Sequence, residues 1–206
     1  RLLAPVVTWQ VQVNRADRIS EAFRGAFRAA LCNRGPAQVD IPRDYYYGVW
    51  EEEAITPSRY HVQHTAGAAP EPQIAVAAEL LAQTERPIIL SGLGAIESDA
   101  TKAIADLADK LAAPVACVWL HNDAFPSSHP LAVGPIGYQG SLAAMRLMQQ
   151  ADVVLALGTR LNAFGLIPQY GVEYFPRSAH LIHNSINPLE LGALLPISAG
   201  LVGDCR

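Results

Sequence analysis

Apolar residues recur at helical spacing in the first forty residues. Ile19, Ala22, Phe23, Ala26, Phe27, Ala30 and Leu31 fall on one face and predict an amphipathic helix over Arg18 to Asn33. Asp17 stands where an N-cap is needed, and Gly35-Pro36 offers a left-handed stop followed by a residue that cannot continue a helix. A short apolar run, Ala37-Gln38-Val39-Asp40-Ile41, reads as a buried strand closed by Pro42. One helix and one strand cannot enclose a core, so this stretch must dock on other structure, within the chain or beyond it. Residues 43 to 72 then lose any period. Tyr45-Tyr46-Tyr47, Glu51-Glu52-Glu53, Pro57, Pro70 and Pro72 read as a linker laid over a surface, with the three glutamates as a solvated run.

From Gln73 onward the two periods alternate. Ile74, Ala77, Ala78 and Leu81 form a helical stripe begun at Pro72, and Pro87 to Leu90 is a short buried strand. Ser98 is placed to cap a second helix through Leu111, followed by a strand over Val115 to Leu120. Ser141 caps a third helix carrying Leu142, Met145 and Met148, which leads into Val153 to Leu157. Leu181-Ile182 and Leu201-Val202 read as two further strands, separated by a helix begun at Asn187-Pro188. Apolar strands alternating with amphipathic helices predict an α/β fold: a three-layer, doubly wound parallel sheet covered on both faces. No internal repeat interrupts it.

Composition narrows the function classes. The 206 residues are 50% hydrophobic and 17% charged, with a formal net charge of −4, which describes a globular chain without a basic nucleic-acid or anionic-membrane surface. No apolar run approaches the about 20 residues of a spanning helix. Arg1 to Pro5 is too short for a signal peptide and the chain lacks an initiator Met, so a piece of something longer is expected. Cys32, Cys117 and Cys205 are odd in number and widely spaced. That pattern suits a reducing cytoplasm rather than a disulfide framework or a zinc site, and predicts three buried, unreactive thiols.

In such sheets ligands sit beyond the carboxyl ends of the strands. Ser91-Gly92-Leu93-Gly94-Ala95-Ile96-Glu97 resembles a dinucleotide-binding turn with Glu97 in place of the third glycine, where a carboxylate repels a pyrophosphate. The bland reading, glycines that let a strand turn tightly into its helix, is preferred. His121 with Asp123 is a candidate proton-transfer pair and His129 a candidate anion ligand, although Asn, Asp and Ser in this stretch also build ordinary turns. Gly134 to Gly140 is a glycine-rich loop suited to close approach of a ligand. The pairs His61/His64 and His180/His183 have a metal-like spacing without a third ligand, and Gly203-Asp204-Cys205 lacks the second glycine of a magnesium motif.

Several stretches read together carry a resemblance. Leu120 to Pro130, Gly134 to Ser141 and Ala156 to Leu161 resemble the sulfoacetaldehyde acetyltransferases, a family within the thiamine-diphosphate-dependent enzymes that include acetolactate synthase and pyruvate oxidase. Gly35-Pro36-Ala37-Gln38-Val39-Asp40-Ile41-Pro42-Arg43-Asp44 resembles the end of the pyrimidine-binding domain of that superfamily, and Gln73 to Arg206 its Rossmann-like central domain. The resemblance implies a remnant of the pyrimidine-binding domain over 1–44, a linker over 45–72 and the central domain over 73–206. It implies transfer of an acetyl unit from sulfoacetaldehyde to phosphate with release of sulfite, using thiamine diphosphate and Mg²⁺ in a homo-oligomeric parent enzyme.

The activating glutamate lies upstream of Arg1 in the family and the Gly-Asp-Gly metal motif downstream of Arg206. The chain alone is therefore expected to bind neither cofactor and to be inactive without the missing pyrimidine and diphosphate domains. Gly158, Thr159 and Arg160 occupy the Gly-x-Arg position that lies near the flavin in flavin-binding relatives, and the resemblance makes them the candidate cofactor-binding residues. The acidic pair after Arg is absent, however, and Ser185 and Asn187 replace an Asp-x-Asp, so FAD is doubtful. The family's Val-Thr-Lys-Trp reads Val6-Val7-Thr8-Trp9, without the Lys. Gln139 falls where relatives point a polar side chain toward the active-site entrance, and with His121 it is the expected substrate-proximal pair. The alternative is a free-standing nucleotide- or flavin-binding module without catalysis; a nicotinamide dehydrogenase is disfavoured by Glu97 and the missing ribose carboxylate.

Overall fold

The computed structural model describes residues 2–51, 56 and 67–206. The chain forms two compact units, Arg1–Thr65 and Ala66–Arg206. Glu52, Glu53, half of the predicted linker and the His61/His64 pair lie outside the described residues.

In the first unit, strand β1 (Trp9–Gln12) pairs in parallel with β2 (Ala37–Asp40), and α1 (Ile19–Asn33) crosses between them. The sequence reading missed β1, because four residues with two glutamines carry too little apolar alternation. Its Trp9 ring packs on Gly25 of α1, where a methyl group would lie 3.0 Å from the indole. Two predicted caps are corrected. Asp17 sits in a short 3₁₀ turn and pairs with Arg15 instead of capping α1. The left-handed residue ending α1 is Arg34, at φ 48°, while Gly35 leaves room for the Thr8 side chain. The predicted apolar face also divides: Ala22 and Ala26 are buried, whereas Phe23, Phe27 and Leu31 stay exposed.

The second unit contains α2 (Glu71–Ala82), β3 (Pro87–Ser91), α3 (Leu93–Glu97), α4 (Thr101–Leu111), β4 (Val115–Cys117) and β5 (Ala132–Pro135). It continues through α5 (Leu142–Gln150), β6 (Val153–Leu157), α6 (Ala163–Leu166), β7 (His180–Ser185) and β8 (Ala199–Val202). The six strands are all parallel, in the order β5-β4-β3-β6-β7-β8. The chain starts in the middle at β3, builds outward to β5, then returns to β6 on the other side of β3. The direction of winding therefore reverses between β3 and β6, which pair from Pro87↔Val153 to Ser91↔Leu157.

Alternation along the central strands divides the core into two layers. Ile89, Val153, Leu155 and Leu157 face a cluster with Ala77 of α2 and Ile104 and Ala108 of α4. Ile88, Leu90, Val154 and Ala156 face Ala144, Met145 and Met148 of α5. Continuous apolar strands are what a sheet buried on both faces requires, and the three-layer, doubly wound α/β architecture follows.

Local departures from the sequence reading have simple causes. Ser98 closes α3 by donating to Gly94 O at 2.6 Å, and α4 starts after Ala100 with no side-chain cap. Strand β4 stops at Cys117 because residues from Val118 onward turn, and β5 was not read at all. After Asn187 there is only a 3₁₀ turn (Pro188–Glu190), capped by Asn187 Oδ1 accepting from Leu189 N at 3.1 Å. Ser141 caps α5 as expected, its Oγ accepting from Ala144 N at 3.3 Å.

At the amino end of β6, Asp152 ties down the turn before β3. Its carboxylate accepts from the Thr84 hydroxyl, from Glu85 N at 2.8 Å and from Arg86 N at 3.1 Å. Burial pushes this carboxyl up, but the hydroxyl and the two amides outweigh it and hold the pKa below its ordinary value. Asp152→Ala removes these bonds and leaves the donors to water, which should lower stability by about 0.5–1.5 kcal/mol at neutral pH. The native pKa is depressed, so this stabilisation is present above the ordinary carboxylate pKa and is lost as pH falls through the native one. Urea titrations should find wild type and variant converging under strongly acidic conditions; a constant gap would contradict this account.

Candidate functional site at the carboxyl edge of the sheet

All five residues singled out from the sequence fall on loops at the carboxyl ends of strands. His121 follows β4, Gln139 follows β5, and Gly158, Thr159 and Arg160 follow β6. Gln139 and Arg160 are exposed, His121 is half-buried and Thr159 is buried. The His121 backbone closes a turn, donating to Val118 O and accepting from Ala124 N, both at 3.0 Å. No hydrogen bond or ion pair joins the His121 and Asp123 side chains, so the expected proton-transfer pair is not formed.

Aromatic rings, which the sequence reading overlooked, join these loops. Trp119 stacks on Phe164 at 5.1 Å and meets Tyr138 edge-on at 6.3 Å. Tyr138 N also donates to Phe164 O at 3.1 Å. The rings come from the segments after β4, β5 and β6, Phe164 from the short helix α6, and Tyr138 and Phe164 stay largely exposed. The available signal was one aromatic residue shortly beyond each of three strand ends. Backbone strain collects on the same loops. Of the non-glycine residues with positive φ, Arg34, Asp99 and Ala112 follow helix ends and Tyr170 lies in the turn before Gly171, whereas Leu120 (72°), Gln139 (56°) and Leu161 (49°) lie on these loops. Left-handed non-glycine backbone persists only where its surroundings impose it.

The buried polar residues of the described chain are Ser91, Thr159, His183, Asn184 and Ser185, all at the carboxyl ends of β3, β6 and β7. Asn184 is the hub. Its Oδ1 accepts from Gly158 N at 3.2 Å and from the Cys205 thiol at 3.0 Å, while Nδ2 donates to Leu201 O and Gly203 O. His183 Nε2 donates to Thr159 O at 2.7 Å. A carbonyl can only accept, so Nε2 carries the proton and Nδ1 is left as a buried acceptor with no partner. Burial lowers the His183 pKa, and it does so against the opposing pull of Thr159 and Glu190. Neutral His183 thus holds the turn that follows β6.

The remaining candidates resolve into structural roles. His129 faces Asp109 at 3.6 Å, accepts from Leu131 N and packs on Phe125, a poor setting for an anion. His180 meets Ser198 Oγ at 2.9 Å, and an odd spacing along β7 sends its ring to the opposite face from His183. The expectation of three buried thiols fails at Cys32, which is exposed. Cys117 is buried, and burial pushes its thiol pKa up. Burial likewise drives Cys205 up to about 11, so neither is a thiolate at neutral pH.

Residues 74–206 match the family model described as the thiamine pyrophosphate enzyme central domain. The chain belongs to the thiamine pyrophosphate enzymes. It is 42% identical to the sulfoacetaldehyde acetyltransferase of Roseovarius nubinhibens, over 98% of this chain and 33% of that protein. Identity to the acetolactate synthase large subunit of Corynebacterium glutamicum is 30%, over 98% of this chain and 32% of that one. Among solved structures, the thiamine diphosphate-dependent 4-hydroxybenzoylformate decarboxylase of Rhodococcus jostii superposes with a TM-score of 0.75 at 26% identity, covering 99% of this chain and 38% of that chain. The chain spans about a third of the length of the curated relatives it matches.

Among the described residues no group of three or more His, Cys, Asp or Glu is arranged to hold a metal ion. No described helix is long and apolar enough to cross a membrane.

Proposed function

We propose that this chain is the central part of a thiamine-diphosphate-dependent acetyltransferase that converts sulfoacetaldehyde and phosphate to acetyl phosphate and sulfite. One observation carries the reading: identity to sulfoacetaldehyde acetyltransferase is 42% across nearly the whole chain, against 30–33% to acetolactate synthase large subunits. In this reading, residues 1–44 are the end of the pyrimidine-binding domain, 45–72 a linker and 73–206 the central domain. Thiamine diphosphate supplies the reactive carbanion and Mg²⁺ holds its diphosphate, both on parts of the parent enzyme outside this chain. The parent is a cytoplasmic homo-oligomer. Gln139 and His121 are its substrate-proximal side chains here.

The 206-residue chain alone should release no sulfite from sulfoacetaldehyde in the presence of phosphate, thiamine diphosphate and Mg²⁺. The same residues exchanged for the matching third of the Roseovarius nubinhibens enzyme should support sulfite release, and Gln139→Ala in that hybrid should raise KM more than it lowers kcat. A hybrid that folds, forms acetolactate from pyruvate and leaves sulfoacetaldehyde untouched would overturn the substrate assignment.

A further inference from the structure

We infer that the crevice at the switch point of this sheet is a sealed backbone seam that takes no flavin or adenine dinucleotide. Doubly wound sheets bind nucleotides where the winding reverses, with glycine N–H groups turned toward the phosphates. Here that place lies between β3 and β6, and the N–H groups face the opposite loop. Gly92 N donates to Leu157 O at 3.0 Å and Gly94 N to Gly158 O at 2.8 Å. Gly158 N is held by Asn184 Oδ1.

Space is closed along with the donors. A methyl group at Gly92 would lie 2.7 Å from Gly158 O, one at Gly94 2.6 Å from the Gly158 Cα, and one at Gly158 2.7 Å from Ala95 N. The two loops touch backbone to backbone, which leaves no width for a pyrophosphate between them. The glycines are there for the approach of one loop to the other.

The ribose side of the crevice is engaged as well. Ser185 Oγ donates to Glu190 Oε2 at 2.7 Å and accepts from Asn187 N at 3.1 Å. Asn187 Oδ1 caps the following turn through Leu189 N. Thr159 Oγ1 accepts from Leu161 N at 3.1 Å. Ser185 Oγ, Asn187 Oδ1 and Thr159 Oγ1 are thus engaged within their own turns, while separating the two loops would break the bonds from Gly92 N to Leu157 O and from Gly94 N to Gly158 O together.

The test is calorimetric titration of the chain with FAD, FMN, NAD and ADP at millimolar concentration, followed by hydrogen exchange over residues 91–95 and 157–160. No saturable heat is expected, and the amides of Gly92, Gly94 and Gly158 should exchange slowly with or without nucleotide. Saturable binding whose added protection falls on other segments also leaves the seam closed. Saturable binding of any of the four that changes exchange at Gly92, Gly94 or Gly158 overturns the inference. Neither outcome touches the acetyltransferase reading, which is scored by sulfite release in the hybrid enzyme.

Discussion

Gly158→Ala should remove about 2–5 kcal/mol of stability, a large part of the about 5–15 kcal/mol that holds a typical domain together. Two effects combine. Gly158 sits at φ 59°, and left-handed backbone at a residue with a Cβ costs about 1–2 kcal/mol. The new methyl group would also meet the Gly94 Cα at 2.6 Å, Ala95 N at 2.7 Å and Cys205 Sγ at 2.8 Å, two of them backbone atoms that cannot rotate away. Overpacking of this kind costs about 1–3 kcal/mol further. Gly171 separates the effects, since it has φ 72° with nothing within 4 Å of an added methyl group. Gly171→Ala should therefore show the smaller loss only. Urea unfolding of both variants decides the matter: equal losses would mean that the seam between β3 and β6 is looser than described.

Acid should destabilise the protein well before its carboxylates titrate, and His183 is the cause. Burial lowers the native His183 pKa below the ordinary value of 6.5, so the unfolded chain takes up its proton first. The unfolded state then binds more protons, and stability falls with pH at a slope of up to about 1.4 kcal/mol per pH unit for one such group. This contribution is intact above pH 6.5 and is lost as pH falls toward the native pKa. Glu190 acts favourably on the charged form, but the register neighbours Ala156 and Gly200 bring no charge to the site. His183→Gln keeps an N–H that can reach Thr159 O and removes the titration. Its stability should be lower than wild type at neutral pH and should fall less steeply as pH drops below 6.5. A variant with the wild-type slope would assign the acid limb to another group.

The strands and helices that bury the most were the ones legible in the sequence. Val153 to Leu157 could be read because every residue of β6 is buried, and the α4 stripe because Ile104 and Ala108 repeat at helical spacing. Short edge elements were not. β1 and β5 each hold four residues, and neither contains a residue as deeply buried as those of β6. Caps failed where two polar residues competed: Ser98 stands between two helices, and only the folded chain shows that it closes α3. The site was half legible. Loops beyond strand ends were placed correctly by topology alone, with His121, Gln139 and Arg160 on them. Long-range contacts were out of reach, since nothing local reveals that Asn184 reaches Gly158, 26 residues earlier, or that Trp119 stacks on Phe164.

Within the second unit, the segment that leads into α2 and the segment that leaves β8 run side by side. Asp204 N donates to Gly67 O at 3.0 Å, and a methyl group added at Gly203 would collide with Ala69 N. Backbone meets backbone there, so Gly203 has the same duty as the glycines of the seam: it lets two strands of main chain approach where a side chain would hold them apart.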